Sequence, residues 1–507
     1  MKIFTSLIKT LWSHKEIVFV VFCAAMLRSW SLSTHAIFFG DAARDLLVAA
    51  QSVHDMTIPL LGIPSSVPRF HQGPLTIWFE MSIFLFSGYH MWGYSFFFSL
   101  LGVLAVIFTY ELLAVYDQRF AGKKIKLSGV LAAFLLGFSP LAIAHSRMPY
   151  HITPIPFFTL AYLFALMYFW QQKKWGIFVA VIGFCLLFQF ELATAPLFLL
   201  IPYLAWRRGV LRKRVNKKNV LLGMAQLFVG LLIGLLPQVL YDLSHHFEHL
   251  GGFAVWVAYR CVAFFGYKEQ HAFSFSKFAT TTSFLQTYMT RIWCVDRDWL
   301  AVLCAASLLG SVFLIVYKKF VKKAAVPMIF ELTAVAFLLQ VMAYFVHGSP
   351  SEAYFPPFFI FSSLLLGYVF SEVWVRVPLS KIFVSAFLLI FASVNTFDIS
   401  QANFFVSTHN AFSYSYSLQE QRRVVNAAAS LSNDKLHFIT TQPDGKFPTY
   451  FDNLRWLLKE KGLSEDPQGE IFDVEPKNAP VDSGLQKSVQ AKKIFDFPSV
   501  ILYQDPK

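Results

Sequence analysis

The stretch Gly40-Asp41-Ala42-Ala43-Arg44-Asp45 places two carboxylates and a guanidinium within little more than one helical turn. Set as a helix from Asp41, positions 41, 44, 45, 52 and 55 share a polar stripe, while Leu46, Leu47, Ala50 and Val53 face elsewhere. Carboxylates in the first turns stay ionised, because the N-terminal end of the helix dipole favours negative charge. An ionised Asp beside an Arg is a competent general base or metal ligand. A helix start carrying an Asp–Arg surface pair accounts for the same residues, and local pattern leaves both readings open. Elsewhere in the chain, Arg28, Glu111, Glu191 and Glu331 lie in or beside apolar runs. Isolated charge is costly there, so each is a functional candidate.

The elements that must position these groups follow from composition. The chain has 507 residues, 56% of them hydrophobic and 14% charged, with 57 Phe, 12 Trp and a formal net charge of +13. The mean hydropathy is +0.53. That apolar content excludes disorder, and five Cys in a chain of this length exclude a disulfide scaffold. The apolar residues fall in long blocks, which predicts an α-helical polytopic membrane protein. Eleven transmembrane segments are expected, near 16–37, 91–115, 127–145, 154–170, 175–190, 192–206, 220–240, 299–317, 326–346, 355–375 and 382–398. Residues 175–190 and 192–206 read as a hairpin with its tip at Gln189-Phe190-Glu191. The run from Pro74 to Gly88 is too short to cross and carries Glu80, so it reads as a helix lying at the interface.

With 74–88 uncrossed, alternate loops are short and basic: 1–15, 116–126, 171–174, 207–219, 318–323 and 376–381, which together hold about half of the Lys and Arg. The positive-inside rule places them in the cytoplasm, with the N-terminus inside and the C-terminus outside, and the expected location is the plasma (inner) membrane. The basic charge then answers to topology and anionic lipid rather than to nucleic acid. Residues 1–398 form the predicted membrane domain, with outer loops at about 38–90 and 241–298. Residues 399–507 are more polar and read as a small extracytoplasmic α/β segment, with helices at 418–431 and 452–462 and strands at 436–441 and 498–503. In the middle loop, His245, His246 and His249 beside Asp242 match either a metal cluster or a solvated helix face. Cys261 and Cys294 both fall outside, where a disulfide is an open alternative. No P-loop, dinucleotide fingerprint, HExxH or paired CxxC occurs, so a nucleotide-sugar or ATP site has no support.

Gly40-Asp41-x-Ala43-Arg44-Asp45, then Pro64 and Arg69-Phe70-His71-Gln72-Gly73-Pro74-Leu75, resembles the first outer loop of the GT-C superfamily, in particular the protein O-mannosyltransferase and aminoarabinose (lipid A) transferase type. Ser139-Pro140 with Ser146-Arg147, Pro237-Gln238-Val239-Leu240-Tyr241-Asp242 and Tyr354-Phe355-Pro356-Pro357 extend the resemblance over roughly residues 16–400. Ala42 stands where many members have Glu, Met148-Pro149-Tyr150-His151 where several carry an acid, and Glu191 where a His is frequent. The resemblance implies a polyprenyl-phosphate sugar donor, an acceptor of the cell envelope (protein, lipid or glycan) and transfer with inversion. It implies Asp41 as general base. Arg44, Asp45, Arg69, His71, Arg147, Glu191 and Tyr354 would bind the donor phosphate or substrate. No cofactor is required by any motif, and a divalent metal is an open alternative. A lipid or sugar transporter shares the composition, but neither repeated halves nor broken midplane helices are evident in the sequence.

Overall fold

The computed structural model describes residues 14–65, 70–117, 123–209, 217–267, 274–295, 297–348, 351–401, 416–432, 435–439, 449, 451–476, 492–498 and 500–504. Helix α1 (Lys15–Ser29) leads through a single turn, α2 (Leu32–His35), into α3 (Gly40–His54) and α4 (Leu75–Ser87). Helix α5 (Met91–Asp117) follows, then α6 (Lys123–Gly137) and α7 (Pro140–Ser146). Helices α8 (Ile155–Trp170) and α9 (Gly176–Phe188) form a hairpin that continues through a 3-10 stretch, Leu192–Leu199, into α10 (Leu200–Arg207). Next come α11 (Lys217–Gly234), α12 (Leu236–Ser244), α13 (Glu248–Val262) and α14 (Phe275–Arg291). The apolar part closes with α15 (Asp298–Val316), α16 (Met328–His347), α17 (Pro356–Arg376) and α18 (Ser380–Ser400).

Each of the eleven predicted segments coincides with helical residues. Among the described residues, six helices are long and apolar enough to cross a membrane, and up to eight if each bent pair is one span. One of the six, Glu248–Gly266, lies inside the predicted middle loop, with 11% of its apolar window buried. The bends are a departure from the continuous spans expected at 127–145 and 220–240. α6 and α7 meet at 66°, and the α11–α12 pair turns by 75°. A proline permits each bend: Pro140 and Pro237 lack the N–H that would continue the ladder, and each opens the second helix of its pair. The Ser139 hydroxyl caps α7 by accepting from the Ala142 amide at 3.4 Å.

Small residues bring spans together, as expected where lipid supplies no hydrophobic drive between helices. A Cβ on Gly367 of α17 would lie 2.8 Å from the Ala132 Cβ and the Ser128 carbonyl of α6. Beside it the Ser128 and Ser371 hydroxyls meet at 2.6 Å. α18 leaves Ile382, Phe383 and Leu389 exposed, an apolar outer face suited to lipid.

The C-terminal segment contains α19 (Leu418–Leu431), β1 (Leu436–Ile439), α20 (Asp452–Glu460), β2 (Glu470–Pro476), β3 (Lys492–Asp496) and β4 (Val500–Gln504). Its sheet has the order β1-β2-β4-β3, with β1 parallel to β2 and the other pairs antiparallel. The α/β reading therefore holds, and β2 and β3 add to the two expected strands. It is more than an appendage, because one continuous apolar core joins Trp456, Leu457 and Leu418 to Phe38, Ala42, Leu46 and Tyr94 of the first loop and α5. Buried Gln421 fastens the seam by donating to the Phe38 carbonyl at 2.8 Å and accepting from Asn453 at 3.0 Å. Gln421→Ala strips those partners from buried groups and should destabilise the docked segment by about 1–3 kcal/mol. Faster proteolytic release of the segment in detergent is the expected readout.

Candidate active site

Helix α3 starts at Gly40 after an extended Phe39, and its alanines and leucine build one buried face from Ala42, Ala43, Leu46, Ala49 and Ala50. That face fixes where the charged residues of the first turns point. Asp45 is driven inward and fully buried, while Asp41 keeps 43% of its side chain exposed. Arg44 lies between them. Its Nε and one terminal nitrogen donate to Asp45 Oδ1 at 3.0 and 2.7 Å, and the other reaches Asp41 Oδ1 at 3.4 Å. Burial alone would pull the guanidinium down, but Asp45 and Asp41 outweigh it and hold the cation firmly charged. Asp41 Oδ1 also accepts from the Thr449 hydroxyl at 2.7 Å, so the C-terminal segment reaches the candidate base directly.

Distant segments complete the group. His151, in the turn between α7 and α8, sets Nδ1 3.6 Å from Asp45 Oδ2 and Nε2 3.5 Å from Glu191 Oε2. Glu191 caps the 3-10 stretch by accepting from the Ala193 amide, and takes a further hydrogen bond from Gln72 at 3.3 Å. The first loop can approach this tip because Gly73 has no side chain. Its amide donates to the Gln189 carbonyl at 2.8 Å, and a Cβ there would lie 2.5–2.8 Å from Gln189 Cβ, Cγ and Cα. Gly73→Ala should therefore push Gln72 off Glu191 and destabilise the protein by about 1–3 kcal/mol, read as a fall in Tm.

Glu80 of α4 is fully buried, and neither carboxylate oxygen has a hydrogen-bond partner among the described residues. Burial, and then the Asp45 charge, push its carboxyl well above the usual range, with Arg44 opposing. The neutral form of the carboxyl is thereby favoured beside the Asp45–Arg44 pair. Tyr150 packs edge-on against Phe39 at 5.0 Å and against the His151 ring at 4.0 Å. Burial and the Asp45 and Asp41 charges keep its phenol protonated.

The other expected site residues lie elsewhere. Arg69 falls outside the described residues. The His71 backbone pairs with the His249 ring, its carbonyl 3.0 Å and its amide 3.2 Å from Nε2. Arg147 is enclosed and donates to the Leu27, Arg28 and His35 carbonyls at 3.4, 3.1 and 3.2 Å. It has the geometry of a backbone staple closing the C-terminal end of α1. Arg28 is equally buried and donates to the Ala24, Leu136 and Gly137 carbonyls. Tyr354 packs against Tyr344 and His347. Glu331 is held by Tyr203, Arg207 and Lys319, which makes it part of an ion cluster tying three helices' ends together. In the histidine cluster, Asp242 accepts the amides of His249 and Leu250 at 2.9 and 2.8 Å, and His249 stacks on Phe70 at 4.1 Å. These are capping and packing roles. Cys261 is exposed and Cys294 buried, with no disulfide between them. Among the described residues no group of three His, Cys, Asp or Glu side chains is arranged to hold a metal ion.

No family description matches the sequence, and no curated protein matches it. Solved structures do match its fold. ArnT from Cupriavidus metallidurans bound to undecaprenyl phosphate superimposes with a TM-score of 0.59 over 96% of this chain and 97% of that one, at 10% identity. The same protein in its apo state gives 0.58 over 97% and 98%, at 11% identity. The chain has the GT-C fold. An oligosaccharyltransferase from Archaeoglobus fulgidus gives 0.51 at 15% identity, over 91% of this chain but 65% of that one. The likeness to ArnT runs nearly end to end, so the C-terminal segment is included in the shared fold.

Within this GT-C fold, Asp41, Arg44, Asp45 and Glu191, singled out in the sequence, lie in one group with His151, Glu80 and Tyr150, which were not. Glu80 carried a signal, since a single acid in an apolar helix has to be accommodated. His151 carried none, because its partners lie more than a hundred positions upstream and forty downstream.

Proposed function

We propose that the chain is an integral membrane glycosyltransferase that moves a sugar from a polyprenyl-phosphate donor to an envelope acceptor on the outer face of the membrane, with inversion. The observation that carries this reading is the half-exposed Asp41 carboxylate, held by Arg44 on a helix that the fold buries on its other side. Asp41 takes the proton of the acceptor as that nucleophile attacks the anomeric carbon. The donor's phosphate leaves with the electrons of the breaking bond, and Arg44, 26% exposed, is the cation placed to meet it. The likeness to ArnT, a protein solved with undecaprenyl phosphate, supports a lipid-phosphate donor.

Sidedness is part of the proposal: eleven spans, N-terminus in the cytoplasm, C-terminus outside. It is supported by the way the predicted loops sort by contact. First-loop residues touch the middle loop at Phe70–His249 and the C-terminal segment at Asp41–Thr449. Residues of predicted cytoplasmic ends meet in the Arg207–Glu331–Lys319 cluster. Helix α13 has its start on His71 and its end, through Arg260, on the His347 carbonyl at the outer end of α16. A helix anchored on one side at both ends lies along the surface, so it adds no span.

The test is transfer by the purified protein in detergent, from undecaprenyl-phosphate-linked sugars to an extract of envelope glycolipid and protein, followed by mass spectrometry. A new glycosylated product is expected. Movement of the lipid across a proteoliposome bilayer with no product under any donor would overturn the reading in favour of a transporter.

A further inference from the structure

We propose that His151 is a positioning residue that works as an imidazolium, clamping Asp45 of α3 to Glu191 at the tip after α9. The proposal rests on the glycosyltransferase reading of the same site. Its ground is geometric. Both ring nitrogens face carboxylate oxygens, at 3.6 Å for Asp45 and 3.5 Å for Glu191, and the residue is 5% exposed. A neutral imidazole has one N–H and one lone pair, so one end would turn a lone pair toward a buried carboxylate. The protonated ring presents N–H to both, and its charge adds to that of Arg44 in offsetting the two buried carboxylates. These separations exceed hydrogen-bond length, so the contacts are ion pairs held by charge rather than by directed bonds.

The surrounding groups agree. From α3 the ring meets Asp45, with Arg44 on that carboxylate's other oxygen. From the α9 tip it meets Glu191, which Gln72 of the first loop also holds. Tyr150 in its own turn meets the ring edge-on, and on the far side of Asp45 lies the buried carboxyl of Glu80 of α4, which the Asp45 charge helps to raise. Burial opposes the charged ring, but Asp45 and Glu191 outweigh it and raise its pKa above the ordinary histidine value.

The consequence is a pH dependence with a defined sign. A raised folded-state pKa means that the stabilisation is complete below the ordinary histidine pKa and is lost as pH rises through the raised value. Once the ring is neutral, the clamp releases Asp45, and Arg44 and Asp41 move with it. Misplacement of catalytic groups by an ångström lowers transfer by roughly a hundredfold.

The experiment follows both Tm and transfer kinetics of the full-length protein in detergent, from about pH 6 to about pH 9, the window that contains a raised histidine pKa. Wild type should lose Tm and kcat together on the alkaline side, with KM for the donor changing less. His151→Gln should show a flat Tm through that window and a kcat already lowered roughly a hundredfold at its acid end. Glu191→Gln, an isosteric change elsewhere on the clamp, should move the alkaline limb to lower pH and carries the test if His151→Gln does not fold. Retention of the wild-type limb in His151→Gln, or an unmoved limb in Glu191→Gln, overturns the clamp. Absence of transfer by the wild type overturns the functional reading instead, and the Tm profile then decides the clamp alone.

Discussion

Asp41→Asn should lower sugar transfer at least a hundredfold while leaving the fold intact. A positioned general base contributes about 10²–10⁴ in rate, and the amide has the shape of the carboxylate without its basicity. The fold is expected to tolerate it because the side chain is 43% exposed and Asn can still accept from the Thr449 hydroxyl. Initial rates with a polyprenyl-phosphate sugar should show the loss in kcat, with Tm within a few degrees of wild type. A variant retaining a third of the wild-type rate would remove Asp41 from the chemistry and shift attention to the buried Asp45.

Asp45→Asn should be the most damaging change to stability. The carboxylate is fully buried and holds Arg44 by two donors on one oxygen, with His151 facing the other. Removing its charge leaves a guanidinium and an imidazolium in a site with too little negative charge. Breaking a buried pair in this way costs about 3–5 kcal/mol. Thermal unfolding in detergent should show it as a large fall in Tm, with transfer lost as Arg44 swings free. Asp41→Asn and Asp45→Asn therefore separate cleanly: one loses rate at constant stability, the other loses both.

The helical membrane architecture was legible because its determinants are local. Each apolar run meets the length requirement or falls short of it on its own residues, although Pro140 and Pro237 fall inside runs read as continuous spans and in fact open second helices. What the runs do not announce is that these prolines sit at bends of 66° and 75°, since the bend depends on what each half packs against. The candidate site divides the same way. Asp41 and Arg44 are three positions apart on one helix and Asp45 is the next residue along, so their encounter is written in the local sequence. Arg147 shows the limit of that logic. Its place beside a predicted outer helix end is that expected of a phosphate ligand, yet its guanidinium is turned onto three carbonyls at the end of α1.

By itself, then, the order of residues determined the helices, the charge asymmetry of their connections, and the acidic motif at the head of α3. Those properties depend on neighbours within a few positions and on the solvent each segment prefers. Only the tertiary structure decided that His151 stands between Asp45 and Glu191, that Thr449 reaches Asp41, and that Gly73 lets the first loop touch the Gln189–Glu191 tip. These contacts join positions up to 408 residues apart. They arise from the packing of whole helices, where side-chain volume and buried charge must be satisfied together, and no periodicity along the chain records that.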